Sequence, residues 1–384
     1  MFKIKYFNNH LSQGFTALFL GRIIQFTANL LLGLFMPIFF LTKFGYNISY
    51  VFLYYLIGNF LYAMVLPWGA QILNKIGLRK SLRASVFLVS SFYASLFLAD
   101  NYLILFIAVS LTILTLYRVA FWYPFHIDFA KFTDKADRGK NVSLIWASYS
   151  FLGIIMPVIS GWLIMKYGFN VVILIVIIVY LFSYIPFLNL PRTKEKFAWS
   201  YKETIKQFIA KKNRRIIMAN TANGAENAVT LIIWPIFIWQ LLDGNFFNVG
   251  AVSSLIVLAA VILQLAVGKY ADIFSKRKMI HWGSGFYALG WVLKIYVLTS
   301  FQIFLAGAYH NFAKIFKDTP FDALNYEMMA DQGHYVDEYT VIKEMAVNFG
   351  KTLILAFAIL IALNFGLNWT FILAALASLL VNFL

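Results

Sequence analysis

Apolar residues run along this chain in long blocks divided by short polar stretches. Blocks able to cross about 30 Å of hydrocarbon fall near residues 12 to 41, 48 to 73, 82 to 99, 101 to 124, 142 to 165, 169 to 190, 216 to 242, 247 to 268, 279 to 299, 301 to 322, 341 to 364 and 367 to 384. Each predicts a helix, because only a helix or a closed barrel satisfies its own backbone donors and acceptors where no water is present. The twelve segments predict an all-α integral membrane protein. The first begins close to Lys3 and Lys5. It is too long for a signal peptide and lacks a small-residue cleavage pattern, so it is expected to stay as the first span.

The two halves of the pattern repeat. Met36-Pro37-Ile38-Phe39 returns as Trp234-Pro235-Ile236-Phe237, an offset of 235 − 37 = 198. Arg79-Lys80 returns as Arg277-Lys278, again 277 − 79 = 198, and Pro124-Phe125 returns as Pro320-Phe321 at 320 − 124 = 196. Three matches in one order point to an internal duplication, the usual construction of proteins in which two similar bundles rock about a site held between them.

Composition narrows the class. With 61% hydrophobic and 12% charged residues the chain has too little polar surface for a soluble protein, so lipid must solvate it. It has no cysteine, which removes disulfides, thiolate metal sites and cysteine nucleophiles. A net charge of +16 would suggest nucleic acid in a soluble protein, but here the cations cluster in alternate loops. Lys75, Arg79, Lys80 and Arg83 follow segment 2; Lys131, Lys135, Arg138 and Lys140 follow segment 4; Lys269, Lys276, Arg277 and Lys278 follow segment 8. The opposite loops hold little beyond Lys43 and Lys166, so the positive-inside rule places both termini in the cytoplasm of a cell-membrane protein. The acidic stretch 331–338 is the exception. Residues 191–215 form a basic cytoplasmic linker between an N-terminal bundle, 1–190, and a C-terminal bundle, 216–384. In the linker Tyr201, Ile205, Phe208 and Ile209 recur at helical spacing opposite Lys202 and Lys206, as on a helix lying against an anionic leaflet; a solvated, topology-setting linker is the plainer alternative.

After segment 8, Gly268, Asp272, Ser275, Lys276, Arg277 and Lys278 form a run that resembles the loop signature of the major facilitator superfamily, G-x-x-x-D-[RK]-x-G-[RK]-[RK], with Ile273 and Ser275 departing from it. The first-half copy spans Ala70 to Lys80, with Lys75 and Gly77 in place and Asn74 where the signature has aspartate. Segment 5 carries Gly153, Pro157 and Gly161, similar to the family's G-x-x-x-G-P-x-x-G-G antiporter motif but short of two glycines. The resemblance implies two pseudo-symmetric six-helix bundles and a secondary transporter. It also implies a charge relay of Asp272 with Lys276, Arg277 and Lys278, and puts segments 1, 4, 7 and 10 around a central cavity.

Ionisable groups within the segments are costly against lipid and are therefore functional candidates. Segment 1 carries Arg22, Gln25 and Asn29 on one helical face; segment 7 carries Asn220, Asn223 and Asn227 at the same offset of 198, with Glu226 on the flank. Arg118 and Lys314 each lie six residues before a proline in segments 4 and 10. Cations of this kind bind carboxylate or phosphate, so an anionic or zwitterionic small molecule is the expected substrate. Alternatively Arg118 and Lys314 snorkel or pair with Asp128 and Asp322. Glu226 is either the carrier of a coupling proton or the partner of Arg22. His310 is a candidate for substrate binding or proton shuttling, and Lys294 and Lys351 receive no role. No His-Glu-x-x-His, Gly-rich phosphate loop or metal-ligand spacing supports a membrane enzyme, and no cofactor is expected. The expected partners are the solute, a proton and membrane lipids, with no nucleic acid, and the expected assembly is a monomer. A drug or amphiphile exporter or a lipid flippase on the same fold is the competing expectation.

Overall fold

The computed structural model describes residues 12–133, 138–194, 196–271, 275–330 and 336–383, and among these residues there is no strand. The helices are α1 (Gln13–Gly33), α2 (Met36–Lys43), α3 (Ile48–Ile76), α4 (Leu78–Ser95), α5 (Leu103–Phe132), α6 (Arg138–Phe182), α7 (Tyr184–Leu188), α8 (Tyr201–Ile209), α9 (Arg214–Ala228), α10 (Trp234–Leu241), α11 (Phe246–Ala271), α12 (Lys276–Ile295), α13 (Ser300–Ala330), α14 (Val336–Phe365) and α15 (Phe371–Leu380).

One matched pair of prolines, Pro37 and Pro235, breaks the chain at matched places, whereas the other, Pro124 and Pro320, lies inside α5 and α13. A proline has no N–H and its ring clashes with the carbonyl four residues back. Segment 1 is therefore divided into α1 and α2, with Pro37 the second residue of α2; segment 7 is divided into α9 and α10 through a π turn at Val229–Ile233, with Pro235 the second residue of α10. α2 begins at Met36 and α10 at Trp234, so the helix starts keep the offset of the prolines, 234 − 36 = 198.

Among the described residues seven stretches are long and apolar enough to cross a membrane. One of them, Gly139–Leu188, has 50 residues. At 1.5 Å per residue it measures about 75 Å, more than twice the hydrocarbon thickness. It bends at Gly168, whose φ is 77°, between the expected segments 5 and 6, and is long enough for two passes. The shortfall from twelve lies in α9, α12 and α13, whose polar residues lower their hydropathy, and in the short α15.

Helix pairing repeats between the halves. α1 packs on α6 as α9 packs on α14; α4 on α5 as α12 on α13; α3 on α5 as α11 on α13. Lipid gives no hydrophobic drive to such contacts, so close packing and polar bonds must hold them.

The halves touch at both ends. On the side away from the linker, α6 crosses α11 backbone to backbone: a Cβ added to Gly250 would lie 2.2 Å from the Pro157 carbonyl oxygen, and one added to Gly161 would lie 2.4 Å from that of Phe246. The antiporter-like Pro157 and Gly161 therefore sit at a crossing that admits no side chain. Phe246 also meets Phe35 and Phe169 edge-on there.

At the linker side polar bonds lie beside an apolar cluster that includes Leu66, Tyr123, Phe197, Val341 and Met345. Tyr62 of α3 donates to Glu344 of α14 (3.3 Å), and Tyr123 of α5 donates to Asp337 of α14 (3.2 Å). The linker itself runs across this seam. Asn74 holds the Phe197 backbone twice, donating to its carbonyl at 2.8 Å and accepting from its N–H at 3.0 Å. Gln71 donates to the Trp199 carbonyl (2.9 Å), and Glu338 accepts from the Ala198 N–H (2.8 Å). Thus the residue that departs from the loop signature, Asn74, straps the linker to α3, while an acid from the exceptional stretch straps it to α14. α8 forms where expected, but much of its apolar face meets protein. Tyr201 stacks on Trp68 of α3 (4.4 Å) and Phe208 meets Phe349 of α14 (6.2 Å), leaving Ile209 exposed.

Candidate functional site

Arg22 lies ten residues into the 21-residue α1 and is buried. Its Nε donates to the Tyr149 hydroxyl of α6 at 2.6 Å. Aromatic faces surround the guanidinium: its central carbon is 4.8 Å from the Trp122 ring centre, 5.4 Å from Tyr149 and 5.5 Å from Phe121. Ring quadrupoles stabilise a cation in this position. No carboxylate lies within 4.0 Å of Arg22 among the described residues, and its two terminal NH2 groups make no hydrogen bond there. A guanidinium held by one edge and free at the other can grip a carboxylate or phosphate.

The rest of the expected polar face on α1 divides. Gln25 turns into its own half, donating to Ser183 at 3.3 Å, whereas Asn29 is exposed. On α9, Asn220 donates to Asn325 of α13 (3.2 Å), Asn223 accepts from Lys317 (3.4 Å), and Asn227 is half-buried. Glu226, almost fully buried, is paired with Lys317 of α13 and accepts from Ser378 of α15 at 2.7 Å. The alternative that made Glu226 the partner of Arg22 is thereby corrected. Each finds its polar partner inside its own half, and Lys317, which also lies 2.8 Å from Asp318, supplies the positive charge. Lys317 was missed because Lys314 carries the repeat match. The signal that could have found it is its place beside Asp318, one helical turn on.

Arg118 donates to Asn59 of α3 at 2.9 Å, not to Asp128, which instead accepts from Thr193 at 2.6 Å. Asp322 accepts from the Trp146 indole (3.2 Å), leaving half-buried Lys314 with no hydrogen-bond or acidic partner among the described residues. His310 lies 2.7 Å through Nδ1 from Lys294 Nζ and stacks on Tyr287 at 4.1 Å; Lys294 is capped by Trp234 and Trp291 at 3.9 and 4.2 Å. Of the relay residues, Lys276 pairs with Glu327 of α13, Arg277 and Lys278 are exposed, and Asp272 lies outside the described residues.

A second constellation was not anticipated. His126 of α5 lies at the seam, its Nε2 3.1 Å from Glu344 of α14 and its Nδ1 2.7 Å from the Tyr326 hydroxyl of α13. Trp122 stacks on His126 (5.6 Å) and is also the nearest ring to Arg22, so one indole joins the buried guanidinium to the seam.

The sequence profile of the Major Facilitator Superfamily matches residues 18–221 and again 216–384. No curated protein matches the chain by sequence. Among solved structures, that of the human organic anion transporter MFSD10 (TETRAN) superposes with a TM-score of 0.70 at 14% identity, covering 97% of this chain and 98% of that one. The Major Facilitator Superfamily transporter FucP, in the outward conformation, gives a TM-score of 0.68 at 12% identity over 96% of each chain. At such identities the likeness concerns the fold, while the profile covers both halves. The duplicated helices, the loop motifs and the profile together make this chain a member of the major facilitator superfamily, a family of multi-pass membrane transporters.

Proposed function

We propose that the chain carries a small anionic organic solute across the cell membrane by alternating access. In this scheme the bundles 1–190 and 216–384 rock about a site that includes Arg22 and Lys314, and a proton is the driving ion. The linker side is the cytoplasmic side, and the working unit is a monomer. One observation carries the substrate class: a buried guanidinium, fixed through Nε by Tyr149 and, among the described residues, free at its other edge with no carboxylate within 4.0 Å. The aromatic faces that could hold a transported cation already hold Arg22.

A ligand screen by thermal stabilisation tests this. A ligand present at 100 times its Kd stabilises the native state by about 2.7 kcal/mol. Organic anions are expected to raise the melting temperature, and Arg22→Gln to remove that rise while sparing the ligand-free value. Stabilisation by amphipathic cations or lipids alone would overturn the anionic site and favour an exporter or flippase.

A further inference from the structure

A proton drives alternation only if its binding energy differs between the two conformations. It must therefore sit on a group whose neighbours change as the halves move. Glu226 does not meet this condition: Lys317 and Ser378 belong to its own half and travel with it. The same holds for Lys294 and His310, enclosed by α10, α12 and α13. The pair His126 and Glu344 does meet it. It joins α5 to α14 across the seam that must part when the linker side opens, and both residues are more than nine-tenths buried.

The hydrogen bonds fix where the proton goes. An ionised carboxylate only accepts, so His126 Nε2 carries hydrogen toward Glu344. The variable position is Nδ1. In the neutral imidazole it accepts from the Tyr326 hydroxyl; in the imidazolium it donates to the same oxygen across the same 2.7 Å, since a hydroxyl both donates and accepts. Rotation of one hydroxyl hydrogen accommodates both forms, so the site needs no cavity to load. Glu344 is held by its second seam contact, the Tyr62 hydroxyl.

We propose that His126, paired with Glu344, is the protonation site that couples pH to alternation. This inference rests on the proton-driven part of the proposed function. Among the described residues, the charged and titratable groups around the pair are Tyr62 of α3, Arg118 of α5, Arg22 of α1, Asp322 and Tyr326 of α13, and Lys343 and Lys351 of α14. Those on α1, α3 and α5 belong to one half and those on α13 and α14 to the other. Separation of the halves changes the whole electrostatic setting of His126.

The chain has no cysteine, so a single reporter can be placed in it. Val341→Cys is suitable, because Val341 is fully buried in the linker-side cluster with Leu66, Tyr123 and Phe197 and meets a thiol reagent only when that side opens. Its labelling rate would be measured in nanodiscs from pH 5 to pH 8, in the otherwise native chain and with His126→Gln or Glu226→Gln added. One linked proton changes an equilibrium by at most about tenfold per pH unit. The expected result is a pH-dependent rate that becomes flat in His126→Gln and persists in Glu226→Gln. Tyr326→Phe, which removes only the Nδ1 partner, is expected to displace the pH midpoint, and it serves as the second variant if His126→Gln does not fold. A pH response that survives in His126→Gln, or an unmoved midpoint in Tyr326→Phe, overturns this site and leaves proton coupling to be carried elsewhere. A flat profile in the His126-containing reporter chain overturns the site and proton coupling together, while solute transport by alternating access stands.

Discussion

Opening of the linker side must detach the linker from either α3 or α14. Of the linker hydrogen bonds described, two from Asn74 and one from Gln71 reach α3, where Tyr201 also stacks on Trp68, whereas one, from the Ala198 N–H to Glu338, reaches α14, where Phe208 meets Phe349 edge-on. The attachment to Glu338 is the one expected to part. A hydrogen bond to a charged group contributes about 1.5–3 kcal/mol net, so Glu338→Ala should shift the equilibrium toward the open form by roughly ten- to a hundredfold. Labelling of the same buried Val341→Cys reporter reads this shift directly as a faster rate. Asn74→Ala is the informative companion. It removes two bonds on the side that keeps its grip through Gln71, so its effect on labelling should be much smaller. A Glu338→Ala rate within about twofold of its parent, or a larger effect from Asn74→Ala, would refute the strap as an element that closes this side.

Other perturbations test the core of each half. Glu226→Gln leaves Lys317 with Asp318 as its acidic partner, and loss of one member of a buried ion pair costs about 3–5 kcal/mol. A lower melting temperature is expected, partly restored when Lys317→Met and Asp318→Asn are added together; an unchanged melting temperature would show that the pair contributes nothing to stability. Gly250→Val should force α6 and α11 apart, because even a Cβ would overlap the Pro157 carbonyl. The expected outcome is greater thiol accessibility at a reporter on the side away from the linker, with the linker side unchanged.

Much of the helical framework was legible because its signals are local. The chain turns at Gly168, between the expected segments 5 and 6, whereas the breaks at Pro37 and Pro235 fall inside segments read as continuous, although the repeat offset matches the two prolines. The polar contacts were less legible, since they depend on how far each helix is rotated and how deep it sits. Lys314 and Lys317 are one turn apart in α13, and the repeat match draws attention to Lys314, whereas the neighbouring Asp318 marks Lys317. The substitution of Asn74 in the loop signature was visible, but its partner Phe197 lies 123 residues away. The amphipathic spacing of α8 identified an apolar face, and only the packing shows that α3 and α14 cover much of it. Asp337 and Glu338 counted in the sequence as a breach of the charge rule; folded, they are buried acids that accept hydrogen bonds at the seam.

The two seams differ in what holds them, and this gives them different thermal behaviour. The linker side adds hydrogen bonds to carboxylates to its apolar cluster of Leu66, Tyr123, Phe197, Val341 and Met345, and water can replace those hydrogen bonds with a small change in heat capacity. The far side is joined by aromatic rings and touching backbones, and opening it to water exposes apolar surface, at about 0.45 cal/mol/K per Å². Apolar contact weakens on cooling. Cooling should therefore loosen the far seam relative to the strapped one, making temperature a lever that selects which face of the membrane the central residues look toward.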